Sequence, residues 1–455
     1  MTQHWRAIGR RVSAAVVAAW AATLFPATAS AQGPSAGDQP TASTQPPEHD
    51  HAAMLAAQSS SRWTVMGDGV VFVTLNQQGG ARGERDVRSQ NWLAGMASHP
   101  AAGGTLTLSG MFSLEPATVG GRGYSEIFQH GEAYHGLPVV DRQHPHDALM
   151  QMAATWQRPF TARTGMVLAG GITGSPAFGP VAFPHRPSTA ENPVAPLSHH
   201  YFDSTHVTMG VITAGFNVKP FEVLGSVFHG AEPDDQRWDL DMGKLDSWSG
   251  QIWWPPAREW SVQGSYAYLH QPEQLEPGNQ KRQSASIHYL KDRGGDRFTA
   301  VTLAGAQVMR ELSTVRALLG EITHYIGGTA IYGRYDGVGL ETEHLLFPTT
   351  IHRPHPGELI DPLLAYTAGI AREIATPRRF SVAIGAQATT YTVPERLVPT
   401  HGRHPVSAQV YVRVRPPRSA MGRMWNMTMT DPMPGHSMTG GQMDHAGMDH
   451  AGMVH

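Results

Sequence analysis

The sequence contains no cysteine. This excludes a disulfide framework, a thiolate metal site and a cysteine nucleophile. Charge is also sparse, at 16% of residues with a net of −3, and there is no basic patch to neutralise phosphates, so nucleic acid is not an expected partner. After the first 31 residues no apolar run is long enough to cross a bilayer as a helix. No His-x-x-x-His pair is present. Ser198 beside His199 and Ser204 near His206 are nucleophile candidates only by adjacency, so an enzyme is not expected.

What is present begins with a secretory signal over residues 1–31. Arg6, Arg10 and Arg11 precede an apolar run, and Ala29-Ser30-Ala31 supplies the small residues of a cleavage site. Residues 32–61 are rich in Pro, Ser, Gln and Ala and are expected to be disordered in the periplasm.

From residue 62 to 416 the pattern changes. In 406–415 the residues Val406, Ala408, Val410, Val412 and Val414 alternate with Ser407, Gln409, Tyr411, Arg413 and Arg415. Side chains alternate between the two faces of a strand, so one face is wholly apolar and the other polar. About sixteen such segments follow one another. They start near residues 63, 86, 105, 146, 165, 205, 220, 246, 260, 282, 297, 314, 328, 363, 380 and 406. Those at 297, 314 and 363 alternate poorly and leave a helix open. Short connections alternate with long polar ones, the signature of an outer-membrane barrel with its long loops outside and both termini in the periplasm. Trp63, Trp156, Trp254 and Trp260 fall at the short-turn ends, where an aromatic girdle belongs. Lipid offers no hydrogen-bond partners, so strands can span only as a closed sheet. The expected fold is therefore all-β, a transmembrane antiparallel up-and-down β-barrel of about 16 strands with disordered N- and C-terminal extensions. The alternative is a soluble β-sandwich or solenoid.

Residues 417–455 form a tail holding Met421, Met424, Met427, Met429, Met433, Met438, Met443, Met448 and Met453, nearly half of the chain's 20 methionines. Met443-Asp444-His445-Ala446-Gly447 repeats as Met448-Asp449-His450-Ala451-Gly452 and closes as Met453-Val454-His455; His436 lies upstream. Thioether sulfur is a soft ligand for Cu(I), whereas imidazole suits Cu(II) and other borderline ions. The tail is thus a candidate metal-binding segment, disordered and suited to capture and delivery. The alternative is a disordered tail of incidental composition.

A second, weaker candidate lies in the loops. Asp141-Arg142-Gln143-His144-Pro145-His146-Asp147 carries two histidines. A later loop holds His185, His199, His200 and His206, and His352, His355, His401 and His404 follow on other long loops. In the barrel reading these lie at the outer rim, and neutral imidazoles beside carboxylates could bind Zn(II), Cu(II) or Ni(II). The structural alternative is that Arg and Asp pair while prolines stiffen inward-folded loops that narrow the pore.

The stretches DRQHPHD, HRPS…NP…PLSHH…DSTH and EPDxxRWD (Glu232 to Asp239) resemble an uncharacterised Gram-negative outer-membrane β-barrel family, over most of residues 63–415. That resemblance implies a heavy-metal context. The Met/His repeats are similar in kind to those of copper-resistance B-type outer-membrane proteins, where they precede the barrel. The expected function is copper, or related soft or transition metal, binding, transport or resistance, with no cofactor required and copper as ligand. A general diffusion porin or a structural barrel is the alternative, and a surface hydrolase ranks below both. The expected partners are outer-membrane lipid and metal ions, with periplasmic metal-handling proteins as further candidates.

Overall fold

The computed structural model describes residues 63–294, 297–351, 355–377, 380–416 and 427–430, apart from the side chain of Ser204. The signal segment, residues 32–61 and most of the tail lie outside the described residues.

Sixteen long strands run Thr64–Gln77 (β1), Asn91–Ala101 (β2), Gly104–Phe112 (β3), Leu149–Pro159 (β4), Thr164–Gly174 (β5), Thr208–Val218 (β6), Phe221–Phe228 (β7) and Ser247–Ala257 (β8). They continue as Trp260–Leu269 (β9), Gln280–Asp292 (β10), Arg297–Met309 (β11), Thr314–Ile326 (β12), Thr329–Glu341 (β13), Ile360–Ala375 (β14), Ser381–Thr392 (β15) and Val406–Arg415 (β16). Each pairs antiparallel with its neighbour in sequence. The sheet closes where β16 pairs with β1, from Val71 opposite Val414 to Gln77 opposite Ala408. Closure leaves no unpaired edge, the condition for spanning lipid with strands. A separate short strand, Arg85–Arg88, extends the pairing of β1 beyond β2.

The side chains are arranged inside out relative to a soluble protein. On β16 the valines Val406, Val410 and Val412 are exposed on the exterior, while Ser407, Gln409, Tyr411, Arg413 and Arg415 are buried within the lumen. Trp63, Trp254 and Trp260 are exposed at the short-turn ends, with Trp254 against Phe221 and Trp260 against Tyr289. The chain is a transmembrane β-barrel.

Segments 297, 314 and 363 are strands, not helices. Their alternation is weak because their inner face is apolar too. Ala304, Ala306 and Val308 of β11 and Val315, Ala317 and Leu319 of β12 face inward. There they form a core with Leu197, Tyr201, Phe202, Leu345 and Leu397, all from inward-folded loops. Where a loop fills the lumen, the wall behind it has no water to face.

Candidate metal centre in the lumen

The filling is done mainly by residues 175–207. Six prolines and two 3-10 turns, Phe183–His185 and Pro187–Thr189, shape the descent, and a short helix, His199–Phe202, follows. Arg186, fully buried, donates through Nε and Nη2 to the two carboxylate oxygens of Glu321 on β12, each at 2.9 Å, and through Nη1 to Asp203 at 2.8 Å. Glu191 pairs with Arg413 and Arg415 of β16. Tyr411 Oη donates to the Glu191 carbonyl at 2.6 Å, Arg334 to the Val194 carbonyl at 2.8 Å, and Ser198 Oγ to Asp336 at 2.5 Å. Ser198 is therefore bonded to a carboxylate and not poised on a histidine.

The loop of residues 113–148 packs on the same contents. Asp141 adopts a positive φ of 57° and gathers three loops: it accepts from the Phe128 amide at 2.8 Å, from His401 Nε2 at 2.9 Å, and pairs with Arg82 at 3.0 Å. Arg237, from the EPDxxRWD element, lies 3.2 Å from Glu132 and 3.5 Å from Asp147.

These two loops bring together the six histidines singled out in the sequence. The long loops that carry them fold inward, so that His146 and His206 lie just ahead of β4 and β6 and His185 packs by the start of β2. His199 lies 5.4 Å, ring centre to ring centre, from His200 and 5.2 Å from His206; His206 lies 5.3 Å from His146, and His144 lies 5.6 Å from His200. His185 packs edge-on against Trp92 at 4.7 Å. The loops fold inward because their arginines and carboxylates find partners on the strands, as the pore-narrowing alternative held.

Three of the rings are held through Nδ1: His146 by Glu115 at 2.9 Å, His199 by Asp203 at 2.7 Å, and His206 by the Asp203 carbonyl at 2.6 Å. A ring anchored at Nδ1 by a carboxylate or carbonyl presents Nε2 for a metal, the usual second-shell arrangement. His206 Nε2 and His185 Nδ1 are buried with no hydrogen-bond partner among the described residues.

One ligand group among the described residues is Glu132, His144 and His200, whose ligating atoms all lie within 4.8 Å of one another. His144 Nδ1 donates to the Pro145 carbonyl at 3.0 Å, because a carbonyl can only accept. In a neutral ring that leaves the Nε2 lone pair 3.1 Å from Glu132 Oε1. Two lone pairs face each other there, a contact that requires a proton or a metal cation between them. Burial, together with Arg237 and the neighbouring histidines, holds His144 well below the ordinary imidazole range, and burial takes His200 down to about 3. Burial also raises Glu132 to about 7 in spite of Arg237. His146 moves the other way: burial would lower it, but the Glu115 carboxylate raises it. Neutral imidazoles are the form that binds metal.

A second group, Glu276, Glu341 and His344, is buried, with the His344 ring tilted against His130 at 5.1 Å between centres. It is already bridged by Arg310. The sequence reading did not single out Glu115, Glu132 or His344; Asp141, Asp147, Arg186, Asp203 and Arg237 lay within stretches it quoted.

Of the tail ligands, Met427 and Met429 are described, and both are buried inside the barrel instead of standing free of it. Met424, Met433, His436, Met438, Met443, His445, Met448, His450, Met453 and His455 lie outside the described residues.

No protein-family model matches the chain, and no curated protein does. Solved structures do. An anion-selective porin from Comamonas acidovorans is 8% identical, with a TM-score of 0.47, over 78% of this chain and 100% of that one. OprB of Pseudomonas putida is 11% identical at 0.47, over 81% and 97%. OmpF of Salmonella typhi, in complex with daunomycin, is 8% identical at 0.48, over 79% and 98%. The likeness is one of fold.

Proposed function

We propose that the protein is an outer-membrane barrel that binds a transition-metal ion, copper or a related one, inside its lumen and conducts it across. The observation that carries this reading is the facing of the His144 lone pair and the Glu132 carboxylate beside His200, continued by the row His199, His206, His146. Neutral imidazoles with one carboxylate suit Cu(II), Ni(II) or Zn(II). The apolar exterior and closed sheet fit an outer membrane with the long loops outside. The Met/His tail supports the same reading by offering a soft-ion reservoir at the other end of the chain.

The general-porin reading is disfavoured by the lumen. Buried ion pairs fix the inward loop across it, and cavities beside that loop have only about 30–50 Å³ of space. Proteoliposomes loaded with a metal-sensing dye test the proposal. Cu(II) or Ni(II) should enter while uncharged sugars do not, and His144→Ala with His200→Ala should abolish entry. Equal passage of sugars, or metal entry unchanged in the double variant, would sink it.

A further inference from the structure

One part of the tail is seated in the barrel. Residues 427–430 lie against the inner face of β4 and the start of the inward loop: Thr155 Oγ1 donates to the Met429 carbonyl at 2.6 Å and Gln157 Nε2 to the Thr430 carbonyl at 2.8 Å. The Met429 amide donates to Ser175 Oγ at 3.3 Å. Met429 fills the space beside Gly174, and Met427 joins the same buried cluster as Met111 and Met150. These three methionines, with His185 and His206, line one cavity of about 40 Å³ for water centres. That is room for an ion or a water or two, and far too little for an organic ligand.

From this juxtaposition we infer that Met427, docked from the tail, completes with Met111, Met150, His185 and His206 a second metal site in the lumen, selective for a soft monovalent ion such as Cu(I) or Ag(I). The reasoning is chemical. Thioethers are neutral and soft, and they hold Cu(I) where carboxylates and water prefer harder ions. Two imidazole nitrogens of this cavity, His185 Nδ1 and His206 Nε2, are buried without hydrogen-bond partners, and His185 itself is only 6% exposed. A buried polar atom left unpaired is costly, and a bound cation removes the cost. The ligands are neutral, which favours an ion of low charge; the one carboxylate of the lining, Asp203, is already engaged by Arg186 and His199. His206 belongs both to this cavity and to the histidine row, so the soft site adjoins the row proposed above. The inference rests on that reading for its biological meaning but not for its chemistry.

The test uses the full-length chain in detergent with methionine methyl groups carbon-13 labelled, titrated with Ag(I), which is redox-inert; with no cysteine there is no thiol to compete. The expected result is that the Met111, Met150 and Met427 methyl signals move together at less than one equivalent. Met427→Leu should weaken that first site by about tenfold or more, so that Met111 and Met150 no longer respond ahead of the other methionines. Met150→Leu serves the same purpose should Met427→Leu not fold, and heat-modifiable gel mobility reports folding. If only other methionines respond to the first equivalent, or if Met111 and Met150 respond identically in Met427→Leu, the inference is overturned. Ni(II) binding at Glu132, His144 and His200 is read separately and should be unchanged by Met427→Leu. Loss of one site therefore does not pass for loss of the other.

Discussion

Two parts of the same inward loop are differently finished. Around Arg186 and Glu191 every charge meets its opposite: Arg186 lies between Glu321 and Asp203, and Glu191 between Arg413 and Arg415. Around His199 and His206, one nitrogen of each ring is tied down, while His206 Nε2 has no partner among the described residues. The first part is electrostatically complete and can only hold the loop. The second is oriented but incomplete, which is the condition of a site that accepts a cation. Asp203 joins them, since it takes Arg186 on one oxygen and His199 on the other.

The comparison breaks most visibly at the anchor. Arg186→Ala leaves Glu321 with Arg334 alone and Asp203 with no arginine, and stranding a buried charge costs about 3–5 kcal/mol. The expected outcome is a large fall in the chemical-denaturation midpoint, or expulsion of the loop and a stepwise rise in single-channel conductance in planar bilayers. An unchanged midpoint together with an unchanged conductance would show that the loop is held by its apolar contacts instead.

Next in size is metal-dependent stabilisation. If the histidine part is a site, Ni(II) or Cu(II) at one hundred times its Kd should stabilise the folded barrel by about 2.7 kcal/mol through mass action. Glu132→Gln should remove most of that gain. The same metal should do nothing further for the anchor, so Arg186→Ala and metal addition should act additively on the midpoint. A barrel whose midpoint does not move with metal, at concentrations where binding is measured by calorimetry, contradicts the assignment.

A smaller effect on stability, but a sharp one on binding, is expected at His199. His199→Ala leaves Asp203 still paired with Arg186. The cost to folding should be near that of one lost hydrogen bond to a charged group, about 1.5–3 kcal/mol. Metal affinity should fall by about 10–100-fold if the ring acts as ligand or supporting neighbour. Arg186→Ala should show the reverse weighting, with stability lost first. Equal profiles for the two variants would erase the distinction between the two parts.

How much of this could be read in the sequence differs between wall and contents. The sixteen strands were legible because lipid enforces an apolar residue at every second position, as at Val406, Val410 and Val412. They became ambiguous where the contents made the inner wall apolar as well, as at Ala304 and Leu319. The six loop histidines were legible as residues of a type. Their meeting point was not, because it depends on pairs far apart in the chain, such as Arg186 with Glu321 and Glu191 with Arg413. Glu115 and Glu132 carry no motif; only the fold places them against His146 and His144. The seating of Met427 and Met429 inside the barrel was likewise hidden, since the hydrogen bonds that fix it run from Thr155 and Gln157 to backbone carbonyls, which every residue has.

The smallest expected effect concerns a carboxyl that belongs to neither part. Glu126 is buried, and its Oε2 has no hydrogen-bond partner among the described residues. Burial raises it to about 8, against the pull of Arg88 and Arg334 and with a further push from Asp336. In the unfolded chain it titrates near 4.5. Between those values the folded protein binds a proton that the unfolded chain has lost, so raising the pH favours unfolding. The contribution of this group is therefore fully present below about 4.5 and is lost as the pH rises through about 8. Glu126→Gln keeps the shape and abolishes the titration. The variant and the natural protein should have similar denaturation midpoints in mild acid, and the variant should be the more stable in mild alkali. A constant difference across that range would mean that Arg88 and Arg334 already pair this carboxylate as fully as Glu321 pairs Arg186, and that the lumen has one kind of buried charge, not two.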